Sequence, residues 1–130
     1  MTTDQSGATA DRFGLDGPLI ERTAEKAGMP VEDVDGALEI LHAELIGRHS
    51  NLERDREYVT VDGVRAYCVD EAVWDEFLAE FDFEEATEAA VRYLHTEQAK
   101  LLFAKSIRGD DNFEAGEEGV VIGIDTAEQF

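Results

Sequence analysis

Apolar positions along the chain change their period several times, and each change marks an element. Leu19, Ile20, Thr23, Ala24 and Ala27 share one helical face, with Pro18 at a first helical position after Asp16 and Gly17, and Gly28 as the stop. Pro30 restarts the chain. Val31, Val34, Leu38, Leu41, Leu45 and Leu52 then follow at spacings of 3, 4, 3, 4 and 7. That heptad-like seam, widened by Ile40 and Ile46, predicts a core helix running from Pro30 to about Ser50.

Between Tyr58 and Val69 the period drops to two, which predicts a β-hairpin. Asp62-Gly63 suits a two-residue turn whose central residues both take positive φ. The turn sets Val61 opposite Val64, Thr60 opposite Arg65 and Val59 opposite Ala66. Val59, Val61, Val64, Ala66 and Cys68 then form one face, and Tyr58, Thr60, Arg65 and Tyr67 form an outer one. Asp70 is placed to cap a third helix, with Val69 and Trp74 as a hydrophobic staple and Trp74, Phe77, Leu78 and Phe81 as its stripe. A fourth helix is predicted over 84–107, with Ala90, Leu94 and Leu101 facing inward, Val91 and Leu102 beside them and Gln98 interrupting. After an acidic loop over 109–119, Val120 to Ile124 reads as a short buried strand that needs the hairpin as its partner. The expected fold is α+β: a helical pair, a β-hairpin, two further helices and a C-terminal strand in a small antiparallel or mixed sheet. Residues 1–14, small, polar and aperiodic, are expected to be a tail preceding one domain over 15–130.

Charge changes this picture more than composition does. Eleven Lys plus Arg against 31 Asp plus Glu leave a formal net charge of −20 in 130 residues. Such a surface repels itself at ordinary ionic strength, whereas at molar salt the Debye length falls to about 3 Å. The only lysines are Lys26, Lys100 and Lys105, and acids spread from Asp4 to Glu128. This composition resembles that of haloarchaeal proteins and argues against a generic basic nucleic-acid surface. A lone cysteine, Cys68, and the lack of a run of about 20 apolar residues lead to the expectation of a cytoplasmic protein without a membrane segment.

The segment from Thr23 to Leu38 resembles a helix-turn-helix of the lactose-repressor type: Ala24, the turn Gly28, Val34 and Ala37 occupy the positions where two helices cross tightly. Tyr58 to Phe77 is similar to the wing and following helix of excisionase-type winged-helix proteins. The resemblance spans roughly residues 18–81 and implies a DNA-binding regulator. Yet the start of the second helix, which would face the major groove, offers Pro30, Val31, Glu32, Asp33, Asp35 and Gly36 in place of base-reading side chains.

One stretch escapes the acidity. From Gly47 to Tyr67, Arg48, Arg54, Arg56 and Arg65 balance four acids and sit beside Tyr58 and Tyr67. Arginine beside aromatics suits phosphate contact or base stacking, so these six residues are the candidate nucleic-acid or partner contacts. The alternative is that Arg–Glu pairs and a Tyr–Tyr cross-strand pair decorate the hairpin. Glu39 and His42 have the E-x-x-H spacing of carboxylate-bridged metal bundles, but Arg92 stands where His95 would need its own glutamate. Zinc needs three or four converging ligands and the chain holds only four His or Cys. The histidines are therefore expected to pack or cap at helix edges. No G-x-S-x-G, phosphate loop or G-x-G-x-x-G followed by a helix is present. No enzyme activity, metal or cofactor is expected. The leading expectation is a protein-interaction or adaptor module, homodimeric through its second or fourth helix. The other is a winged-helix-like regulator touching DNA through the hairpin.

Overall fold

The structure, a computed structural model, describes residues 13–48, 52, 54, 57–61, 63–106 and 116–123. Residues 1–12, expected as a tail, lie outside these, as do Asp62 of the hairpin turn and most of the acidic loop. Helix α1 spans Gly17–Ala27 and α2 spans Val31–Ile46. Gly28 ends α1 in the left-handed region (φ 70°), a conformation nearly free of steric cost for glycine alone. Ala24, Val34 and Ala37 are buried where the two helices meet. The second helix ends at Gly47, earlier than the seam predicts, and Leu52 packs against the core beyond it.

Strands β1 (Glu57–Val61) and β2 (Val64–Asp70) pair antiparallel in the expected register, with Val61 against Val64 and Val59 against Ala66. Helix α3 (Glu71–Leu78) follows at once. Asp70 takes its N-cap position, but its carboxylate makes no capping hydrogen bond, and Phe81 falls after the helix end. Helix α4 (Glu85–Lys105) leads to β3 (Glu117–Gly123), which pairs antiparallel with β2 from Val64 against Gly123 to Asp70 against Glu117. The sheet order β1-β2-β3 makes β2 central. The architecture is α+β, four helices and one three-stranded antiparallel sheet among the described residues.

Helix α4 touches all three strands, and its closest approach is at β3. A Cβ on Gly119 would overlap that of Ala99 and sit 3.3 Å from the His95 carbonyl oxygen, so only glycine lets the strand lie this close. Because β3 is an edge strand, the backbone groups on its outer side need partners from elsewhere. Helices supply them. The Gly119 N–H donates to Thr96 Oγ1 (3.1 Å), the Val121 N–H to His95 Nδ1 (3.0 Å) and the Gly123 N–H to His42 Nε2 (3.3 Å). Trp74 Nε1–H donates to the Gly119 carbonyl at 3.0 Å, and its buried indole meets the His95 ring edge-on. Arg92 adds a clamp: Nε and Nη2 hold Glu118 at 2.6 and 2.8 Å, and Nη1 holds Asp75 at 2.8 Å, joining α4 to β3 and α3.

One position on α4 departs from the expected inward face, and another shows how a polar residue is held within it. Leu101 is 43% exposed, although it lies seven residues after the fully buried Leu94. The buried arc rolls around this long straight helix, from Ala90, Val91 and Leu94 to Ala99, Leu102 and Phe103, so a seven-residue extrapolation leaves it. Gln98, expected as an interruption, is buried, and its Oε1 accepts the Asp16 N–H at 3.0 Å.

Gly119→Ala is expected to destabilise the fold by about 1–3 kcal/mol through overpacking. Urea denaturation in molar KCl measures it. Adding Ala99→Gly should recover part of the loss, less about 1 kcal/mol for a mid-helix glycine.

Candidate functional site

The predicted contact residues do not form one patch. Arg48, at the end of α2, bonds both carboxylate oxygens of Glu80 at 2.6 Å and Glu44 at 3.2 Å, and lies 5.2 Å over the Phe77 ring. The hydrogen bond to Glu80 is the main reason its pKa is raised. This arginine fastens α2 to the end of α3. Tyr67 is fully buried, which corrects its expected place on an outer face. The reason is tertiary. Tyr67 stands opposite the buried Val120 of β3, and α3 and α4 also contact β2, so residues on both faces of the central strand are buried from Ala66 to Val69. Tyr58 and Arg65 remain at the surface, with the guanidinium 4.5 Å from the Tyr58 ring and its Nε–H donating to Thr60 Oγ1. Arg54 is exposed, and Arg56 lies outside the described residues.

His42 and His95 are packed in the interior and cap no helix edge, and His49 lies outside the described residues. Glu39 is exposed while His42 is buried, so the E-x-x-H pair does not converge. Among the described residues no three His, Cys, Asp or Glu side chains gather as a metal site would require. Accepting from Val121 leaves the His95 proton on Nε2, and accepting from Gly123 leaves the His42 proton on Nδ1. Both rings must therefore be neutral. Burial pushes the His95 pKa down to about 3, with the neighbouring His42 adding to the shift, and burial also lowers His42.

The surface with the character of a binding site lies elsewhere, along the seam of α1 and α4. One groove of about 330 Å3 is lined by Thr23, Lys26, Ala27, Ala86, Ala89 and Tyr93, among others. A second, of about 620 Å3, continues from Lys26 and Tyr93 to Arg22, Glu97, Lys100 and Leu101. Tyr93 and Leu101 are 44% and 43% exposed, two of the few large apolar side chains that the described surface leaves open. Aromatic residues are enriched in protein interfaces, and adjoining exposed apolar groups mark them. Charge separates this seam from the rest of the chain. Arg22, Lys26 and Lys100 face Glu25 and Glu97, three cations to two acids, where the whole chain has 11 to 31. Lys26 Nζ stands 5.5 Å over the Tyr93 ring. Sequence reasoning passed over these residues because it weighed arginine clusters. The available signal was that Lys26 and Lys100, two of only three lysines, mark one surface.

The histidine pair generates a prediction with a definite sign. Unfolding lets His95 rise from about 3 to its ordinary value near 6.5, so the unfolded chain takes up a proton below that pH. Stability is complete above about pH 6.5 and falls as the pH drops towards 3. Between pH 7.5 and 5.5, His95 should account for about 1 kcal/mol of loss in urea titrations. His95→Asn, which keeps an acceptor near the Nδ1 position, should flatten that slope even though its stability at pH 7.5 is lower. A slope unchanged from the wild type would contradict the assignment.

No curated protein and no solved structure gives a significant match to the chain. A family model does match over residues 14–124, from the residue before Leu15 of the core to one residue past β3. On that match the chain belongs to the family described as a domain of unknown function, DUF8048.

Proposed function

We propose that this chain is a non-enzymatic protein-interaction module of a salt-rich, haloarchaeal cytoplasm, and that the groove between α1 and α4 is its docking surface. The observation that carries this reading is the pairing of exposed Tyr93 and Leu101 with Arg22, Lys26 and Lys100 in a chain of net charge −20. An apolar strip stabilises a complex by contacts that salt does not screen, and a balanced set of charges orients it without adding to self-repulsion. The acidic remainder keeps the protein dispersed at molar salt. His42 and His95 are engaged as acceptors for the β3 backbone, which supports a structural role for them over proton transfer at an open cleft.

Contact with DNA through the hairpin is the second reading, and the surface stack of Arg65 on Tyr58 favours it. Its case is narrower than the six predicted residues imply. Arg48 is tied to Glu80 and Tyr67 is buried, while the exposed first turn of α2 carries Glu32 and Asp33. Acids at that position oppose phosphate approach.

Affinity capture in molar KCl, with both protein and nucleic acid identified, separates the two. Leu101→Glu is expected to reduce bound protein partner by about tenfold, the scale of a single interface anchor. Arg54→Glu combined with Arg65→Glu should leave that partner bound. Recovery of nucleic acid that the double arginine variant abolishes, with no protein lost on Leu101→Glu, would replace the first reading by the second.

A further inference from the structure

The interaction reading leaves the occupant of the groove open, and the arrangement of charge and size along α4 selects one. The outward face of the helix runs from Ala86 to Ala104, a length of about 27 Å at ~1.5 Å per residue. Tyr93 and Glu97 lie near its middle, and Leu101 and Ala89 lie at equal distances on either side of His95. We propose that the groove is filled by α4 of a second copy of this chain, with a twofold axis crossing the helix at the level of His95. This inference rests on the interaction reading above and deepens it.

Such an axis runs the two α4 helices antiparallel and sets Leu101 opposite Ala89 of the second copy. An exposed leucine then meets one of the smallest residues, and the same contact recurs across the axis, as an isologous interface requires. Tyr93 comes opposite Glu97 of the second copy. Lys26 already stands over the Tyr93 ring at 5.5 Å, so that carboxylate arrives beside an ammonium. Two Lys26–Glu97 pairs result, one at each side of the axis. The mixed sign of the groove chooses this occupant. A uniformly acidic segment would meet repulsion from Glu25 and Glu97, and a basic one from Arg22, Lys26 and Lys100. A face holding both signs is matched by itself once it is turned around the axis. The groove is also far less acidic than the chain as a whole, which makes it a place where two chains of charge −20 can touch with little Coulombic cost.

The test uses two variants that fail alone and succeed together. Lys26 is exposed, and Glu97, half-buried at the surface, holds Lys100 of its own helix at 3.7 Å, a surface pair whose loss leaves the core intact, as circular dichroism checks. The oligomeric state is read by analytical ultracentrifugation in molar KCl, where the repulsion between two chains of charge −20 is screened while close ion pairs and apolar contacts still act. Wild type is expected to be a dimer at about 100 µM, a modest affinity for one small interface. Lys26→Glu alone places two acids together, and Glu97→Lys alone places two lysines together. Each should raise the dimer dissociation constant by about tenfold or more. Mixed in equal amounts, the two variants form a heterodimer in which every clash becomes an ion pair, so dimer should return. Leu101→Glu should be monomeric by itself. Wild-type monomer at that concentration, or a mixture no tighter than its separate components, overturns the proposal. Monomeric wild type whose capture of a different protein is lost on Leu101→Glu would show the wrong occupant while leaving the interaction reading standing. If Leu101→Glu changes neither self-association nor capture, both fall.

Discussion

The outer edge of β3 is the constraint on which the rest of the molecule depends. A buried strand edge carries backbone donors and acceptors that must be satisfied. Here the partners are side chains of three helices: Thr96 and His95 from α4, His42 from α2 and Trp74 from α3. Meeting those groups draws α4 onto the strand until only glycine fits at position 119. It also requires two neutral imidazoles in defined tautomers, and it locks Trp74 into the core. Arg92 reinforces the same junction from the partly exposed side through Glu118 and Asp75. Three helices and the sheet thus share one polar seam, which sets their relative positions more specifically than apolar packing alone would.

That seam also decides which surfaces are left for function. The inner face of α4 is consumed by the sheet, and α1 covers part of the remainder, leaving the strip with Tyr93 and Leu101 between α1 and α4. Cations in this chain are few, and the described ones divide by task. Arg48 and Arg92 bind carboxylates across elements. Arg65 lies on Tyr58, while Arg22, Lys26 and Lys100 gather at the groove. In a protein of net charge −20 the placement of each positive group is informative, because most of the surface has none.

How legible the chain was depends on the range of the interaction in question. The hairpin register follows from alternation and a two-residue turn, both local, and the structure has the pairing those imply. The stop at Gly28 and the α+β order of elements are local in the same sense. Tyr67 departs from the expected outer face because alternation names two faces without saying that helices and a strand from elsewhere in the chain will leave residues of both buried. Leu101 departs from the expected inward face because periodicity measures a helix against itself. What covers each turn of α4 is supplied by α1, the segment before it and the sheet. The partners of His42 and His95 are backbone N–H groups of β3, which no sequence pattern displays.

By itself, then, the sequence determined the elements, the hairpin pairing, the acidic surface and the scarcity of lysine, since periodicity, turn chemistry and charge are properties of neighbouring residues or of the whole composition. The tertiary structure alone decided which face of each element is covered and which cations are engaged. It also decided that Tyr93 and Leu101 stay exposed beside α1, while Tyr67 of the hairpin is buried. The physical reason is that burial and hydrogen-bond satisfaction are settled between segments far apart in the chain, and β3, the last described element, completes both.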